Sequence, residues 1–205
     1  MGVFAITGDL GSGKTTILNL LREKGAKVFN CDEVVHSYYK DKKSLVYKKI
    51  ITFFPSVKEN DRICRKKLSQ IVFSSKEKLT QLEEIVHPVI IEDLKKWIKK
   101  AKKNRIYIAE VPLLFEKNLF HLFKEVILVY AKREALIGRL RKKLNLSQRE
   151  IKKRLSLYLP IRKKIKKADF IVNNSFSLLR LKKEVDSLWE WLKEENRYGE
   201  GKGKK

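Results

Sequence analysis

Two cysteines, three histidines, half as many acidic as basic side chains and no long apolar run are the shortages that narrow this 205-residue sequence. The cysteines, Cys31 and Cys64, form no Cys-x-x-Cys pair, and no histidine falls at metal-ligand spacing. Neither a zinc site nor a disulfide framework is therefore indicated, and a reducing compartment fits. The apolar runs at residues 3–6, 106–109 and 126–129 fall far short of the roughly 20 residues that cross a bilayer. Met1-Gly2 leads straight into such a run and then a glycine loop, so no secretory signal is expected and the location expected is cytoplasmic. Gly2 has no other support as a lipidation site.

Acidic residues are the shortage with the broadest consequence. Asp and Glu total 24 against 48 Lys and Arg, a formal charge of +24. Such a chain attracts phosphates of every kind, nucleic acid included. The basic pairs are nevertheless scattered, as in Lys42-Lys43, Lys66-Lys67, Lys95-Lys96 and Lys163-Lys164, without one block of interleaved aromatics. A solvated lysine surface is the plain reading, and attraction for polyanionic substrates is the functional one.

What is present is organised around a parallel sheet. With 43% hydrophobic residues the length suits one globular unit with insertions. Short β-branched and aromatic runs at 3–7, 27–30, 106–110, 126–130 and 170–173 alternate with helical patterns, which predicts an α/β fold of three layers. Residues 34–103 contain no convincing buried strand and read as a helical insertion broken at Pro55 and at His87-Pro88. Residues 132–167, dense in Arg and Lys, read as a helical lid. The nucleotide-binding core is then 1–33, 104–131 and 168–195, followed by a flexible tail at 196–205.

Between the first expected strand and helix stands Gly8-Asp9-Leu10-Gly11-Ser12-Gly13-Lys14-Thr15, followed by Thr16. Gly-x-x-x-x-Gly-Lys-Thr in that context is a P-loop: glycines let the backbone wrap an anion, so that N–H groups and the helix N-terminus meet the β-phosphate. Lys14 is expected to bridge the β- and γ-phosphates of ATP, and Thr15 to set its hydroxyl on Mg²⁺. No Asn-Lys-x-Asp guanine reader and no Leu-Ser-Gly-Gly-Gln transporter signature occurs. A small-molecule kinase is favoured. Asp32, ending the second strand, is a candidate general base or an N-cap for a helix beginning near Glu33. Glu110 is a candidate for the Mg²⁺ shell or a plain strand terminus. Pro112-Leu113-Leu114-Phe115 is core or a wall for the acceptor, and His87 is a kink residue before Pro88.

Taken in order, these pieces resemble dephospho-CoA kinase, from residue 3 to about 185. Besides the loop, Asn30-Cys31-Asp32 is similar to the family's Asp-x-Asp, and Arg65-Lys66-Lys67-Leu68 with Val72-Phe73 to its Arg-x-x-Leu and Val-Phe segment. Leu82-Glu83 with His87-Pro88, Glu110-Val111-Pro112-Leu113-Leu114-Phe115-Glu116 and Ala168-Asp169 with Asn173-Asn174 follow in family order. The resemblance implies transfer of the ATP γ-phosphoryl group to the ribose 3′-hydroxyl of dephospho-CoA. In it Asp32 is the base, Arg65 and His87 bind the acceptor, Arg139 meets the phosphates and Asn174 lies near adenine. Pro112 and Leu113 would line the acceptor side. The sequence departs from the pattern at Asn30, Glu110, Lys143 and Tyr158, where the family has Asp, Asp, Arg and Gln. The rivals are another small-molecule or nucleoside monophosphate kinase and a nucleic-acid-stimulated ATPase. Against the latter stands the lack of a second helicase-like motif set.

Overall fold

The structure, a computed structural model, describes residues 2–144 and 147–198. In chain order its elements are β1 (Phe4–Thr7), α1 (Lys14–Glu23), β2 (Lys27–Asn30), α2 (Cys31–Tyr38), α3 (Leu45–Phe53), β3 (Lys58–Glu59), β4 (Arg62–Ile63), α4 (Arg65–Ser74), α5 (Lys76–Lys99), β5 (Tyr107–Glu110), β6 (Val126–Tyr130), α6 (Arg133–Leu144), α7 (Gln148–Leu155), α8 (Ile161–Ile165), β7 (Phe170–Asn173) and α9 (Leu178–Tyr198). Two compact units form where the length suggested one: Met1–Phe29 with Lys100–Lys205, and Asn30–Lys99.

The first unit carries a five-stranded sheet in the order β2-β5-β1-β6-β7. β1 pairs in parallel with β5 and β6, setting Ile6 beside Glu110 and Ile127, and β6 pairs in parallel with β7. All of β1 is buried, as an unbroken apolar run covered on both faces requires. Phe4, Ile6, Ile127 and Val129 join Ile17, Leu18 and Leu21 of α1 and Leu181, Val185, Leu188 and Leu192 of α9 in one core. The α9 residues recur at three- and four-residue steps, so a single stripe of that helix faces the sheet. Ala5, Ala109 and Leu128, offset by one, are equally buried on the opposite face, and α8 packs on β6. After β1 the chain sets β2 two places to one side, fills the gap with β5, then crosses to lay down β6. That reversal opens a crevice beyond the carboxyl end of β1, where the glycine loop begins.

In the second unit α2, α3 and α4 pack on α5, burying Val46, Ile50, Leu68, Val72, Ile85, Val86, Ile90 and Leu94. It contains a small hairpin that periodicity could not reveal: β3 and β4 pair antiparallel through Asn60 and Asp61, at φ 43° and 59°. Two left-handed residues are what a two-residue hairpin turn uses. Pro88 does not break a helix, because α5 runs through it. The proline is exposed, so the Glu84 carbonyl that it leaves without an N–H can turn to water. Meanwhile Ile85, Val86, Ile90 and Leu94 bury the opposite stripe without interruption. In the first unit α9 continues to Tyr198, past the expected boundary at Asn196, whose Nδ2 donates to the Lys103 carbonyl at 3.3 Å. The remainder of the expected tail, 199–205, lies outside the described residues.

Candidate active site

The glycine loop ends in an uncapped helix. Gly13 is the N-cap of α1 at φ 97°, ψ 20°, with no side chain satisfying the first amides. Those N–H groups and the positive end of the helix dipole are what an anion meets. Gly11 has φ 81°, a conformation that glycine takes without penalty. Ser12 is 1% exposed and its Oγ has no partner among the described residues. A buried hydroxyl without a partner beside an uncapped helix fits a loop whose remaining hydrogen-bond acceptor is a ligand's phosphate.

Side chains from the far end of the first unit brace this loop. Asn174 Nδ2, just past β7, donates to the Ser12 carbonyl at 2.8 Å. Arg139 of α6 donates to the carbonyls of Gly11 and Ser12, both at 3.4 Å, and to those of the Asn174 main chain and side chain at 2.7 and 3.3 Å. Arg139 and Asn174, both named for ATP from the sequence, thus meet at the loop itself. Arg141 instead donates to Gln148 at the exposed surface, and Lys143 is exposed. A Cβ on Gly13 would lie 2.1 Å from Asn174 Nδ2. Gly13→Ala is therefore expected to cost about 1–2 kcal/mol from the left-handed backbone alone and to displace Asn174. Thermal unfolding and ATP titration should show a lowered Tm together with weakened binding, whereas wild-type values for both would contradict this account of the loop.

Lys14 is nearly buried and donates Nζ to the carbonyls of Gly8 and Asp9 at 3.0 and 3.3 Å. Its Nζ is 3.9 Å from Oε1 of Glu110, the last residue of β5 and 2% exposed. Glu110 is thus no solvent-facing strand end. Thr15 and Thr16 are exposed in the first turn of α1. Among the described residues no group of three or more His, Cys, Asp and Glu stands together for a metal. A divalent ion here would rest on few protein oxygens and on phosphates, and the Thr15 hydroxyl and Glu110 carboxylate are the hard donors that Mg²⁺ prefers. Beyond β5, Leu114 and Phe115 are buried while Pro112 and Leu113 are half-buried, so the apolar run divides between core and surface.

In the second unit the capping question is answered by another residue. Helix α2 starts at Cys31, two residues before the expected start, and the Asn30 side chain accepts from Glu33 N at 3.0 Å. Asp32 is therefore inside the first turn, exposed, rather than the cap. Asn is as good a cap as Asp, which gives the departure at position 30 a local use. Asp32 and Arg65, at the start of α4, both act electrostatically on His36 and Tyr39. Burial, then Arg65, holds His36 below the usual imidazole range, and burial pushes Tyr39 up to about 12. His87 is half-buried within α5.

One group at the loop escaped sequence reasoning. Lys164 of α8, which the pair Lys163-Lys164 suggested was solvated, is 0% exposed. Its Nζ lies 3.0 Å from Asp9 Oδ1, 2.9 Å from Glu116 Oε1 and 4.7 Å from the Tyr158 ring centroid. The available signal was position, since Lys164 falls three residues after the half-buried Ile161, on the stripe that faces inward.

Comparison with known proteins points one way. A family model described as dephospho-CoA kinase matches residues 2–179. The dephospho-CoA kinase of Aquifex aeolicus is 35% identical over 189 residues, covering 91% of this chain and 95% of that protein. That of Helicobacter pylori strain 26695 is 36% identical over 192 residues, with 92% and 96% covered. The solved structure of dephospho-CoA kinase from Campylobacter jejuni superposes with a TM-score of 0.64 at 26% identity, covering 93% of this chain and 96% of that one.

Proposed function

The chain belongs to the dephospho-CoA kinase family, and from that premise we propose how its residues phosphorylate dephospho-CoA with ATP. The carrying observation is the family match over nearly the whole chain together with an uncapped P-loop helix whose lysine is already gathered into the loop. ATP lays its β- and γ-phosphates against the loop amides from residues 8–16, with Lys14 across them. The ribose 3′-hydroxyl oxygen of dephospho-CoA forms a bond to the γ-phosphorus as the bond to the β,γ-bridging oxygen breaks. ADP leaves, the hydroxyl proton passes to Asp32, and CoA is released. Asp32 suits the base because Asn30 has taken the capping duty. Arg65, His87, Pro112 and Leu113 bind the acceptor, Arg139 and Asn174 hold the loop and the nucleotide. Thr15 and Glu110 would hold Mg²⁺, which neutralises phosphate charge when bound. No helix of the described residues is long and apolar enough to cross a membrane, and we place the activity in the cytoplasm.

The test is substrate choice. Purified protein with ATP and magnesium should form ADP at a rate that depends on dephospho-CoA, measured in a coupled assay. Turnover of adenylate, thymidylate or shikimate as fast as dephospho-CoA would remove the acceptor assignment. Hydrolysis stimulated by RNA or DNA, weakening steeply with salt, would favour the nucleic-acid rival.

A further inference from the structure

The P-loop of this chain contains a carboxylate, and a phosphate-binding loop is a poor place for one. Asp9 lies between Gly8 and the Ser12–Lys14 turn: its carbonyl accepts from Ser12 N at 3.1 Å and from Lys14 Nζ at 3.3 Å. A bound triphosphate would face that charge at short range, where repulsion is strong. The compensating charge comes from 155 residues downstream, as Lys164 Nζ at 3.0 Å from Asp9 Oδ1.

Lys164 is not placed to act as a phosphate ligand. It has no exposure at all, and a fully buried ammonium persists only when paired. Its second partner, Glu116 Oε1 at 2.9 Å, also accepts from Leu159 N at 2.8 Å, which fastens the chain entering α8 to the segment beyond β5. The Tyr158 ring stands over the same Nζ, giving the departure from Gln at that position a contact. Three neighbours hold the cation in place, and only one of them, Asp9, belongs to the loop.

We propose that Lys164 is a positioning residue for ATP binding: by neutralising and holding the Asp9 carboxylate it makes the loop compatible with phosphate. This rests on the reading that the loop takes the phosphates of ATP. If the wild-type chain bound no ATP, that reading would fail first and independently.

The experiment is a double-mutant cycle on ATP affinity, measured by titration calorimetry on the full chain with Tm as the check on folding. Lys164→Met is expected to weaken ATP about tenfold or more, and the same change in an Asp9→Asn background by about threefold or less, because the charge it answers is gone. A residue that merely filled space would give equal losses in both backgrounds, and that result, or no loss in either, overturns the proposal. Should Lys164→Met not fold, Asp9→Asn alone carries the test. It is expected to bind ATP more tightly than the wild type, since the loop then bears one negative charge fewer, and weaker binding overturns the proposal.

Discussion

Asp32→Asn is expected to lower kcat about 10²-fold or more, as for loss of a general base, while ATP affinity stays within about threefold and the Tm scarcely moves. Asparagine keeps the shape and one acceptor oxygen of the side chain but cannot take up the hydroxyl proton. The structural cost is small for identifiable reasons. Asp32 is exposed and inside the first turn of α2, and the hydrogen bond that starts the helix is made by Asn30. What is lost is one favourable charge near a helix N-terminus, about 0.3–1 kcal/mol. Steady-state kinetics with dephospho-CoA varied, beside ATP titration and thermal unfolding, separates the cases. A fall in kcat alone supports the base, a fall in Tm and kcat together indicates a structural role, and near-full activity removes Asp32 from the mechanism.

The core was legible because its signals are local and dense. Buried parallel strands appear as short apolar runs, and β2, β6 and β7 begin and end where those runs do. The glycine loop carries its conformation in its composition, since Gly11 and Gly13 occupy the left-handed backbone that only glycine adopts freely. What was illegible depends on partners distant in sequence. Spacing from Ile161 puts Lys164 on the inward stripe of α8, but nothing near it announces that its ammonium meets Asp9 and Glu116. Pro88 misled because proline breaks a helix by local rules, whereas packing on both sides of it sustains α5. Helix α2 starts at Cys31, two residues before the expected Glu33, within the ordinary spread of helix ends. That shift decided which side chain is held by the backbone and which is available for chemistry.

The same long-range pairing governs the outcome at Lys14, where Lys14→Ala is expected to reduce kcat by about 10²–10³, the range for removing one preorganised donor to a developing charge, and to weaken ATP binding as well. Two losses combine. The ammonium that would bridge the phosphates goes, and the Glu110 carboxylate, 2% exposed, loses the cation 3.9 Å from it. A buried carboxylate facing incoming phosphates opposes binding, so affinity should fall beyond what the missing contact explains. Adding Glu110→Gln, with ATP titrated in magnesium-free buffer so that the metal-holding role of Glu110 does not enter, separates the two. If repulsion contributes, the Lys14→Ala, Glu110→Gln protein binds ATP more tightly than Lys14→Ala alone while kcat stays low, because the donor is still absent. Equal affinities would mean that Glu110 does not oppose the nucleotide, and unaltered ATP binding in Lys14→Ala itself would contradict the role given to the lysine. KM for dephospho-CoA is expected to change little in either variant, since Lys14 acts on the donor phosphates and leaves the acceptor contacts in place.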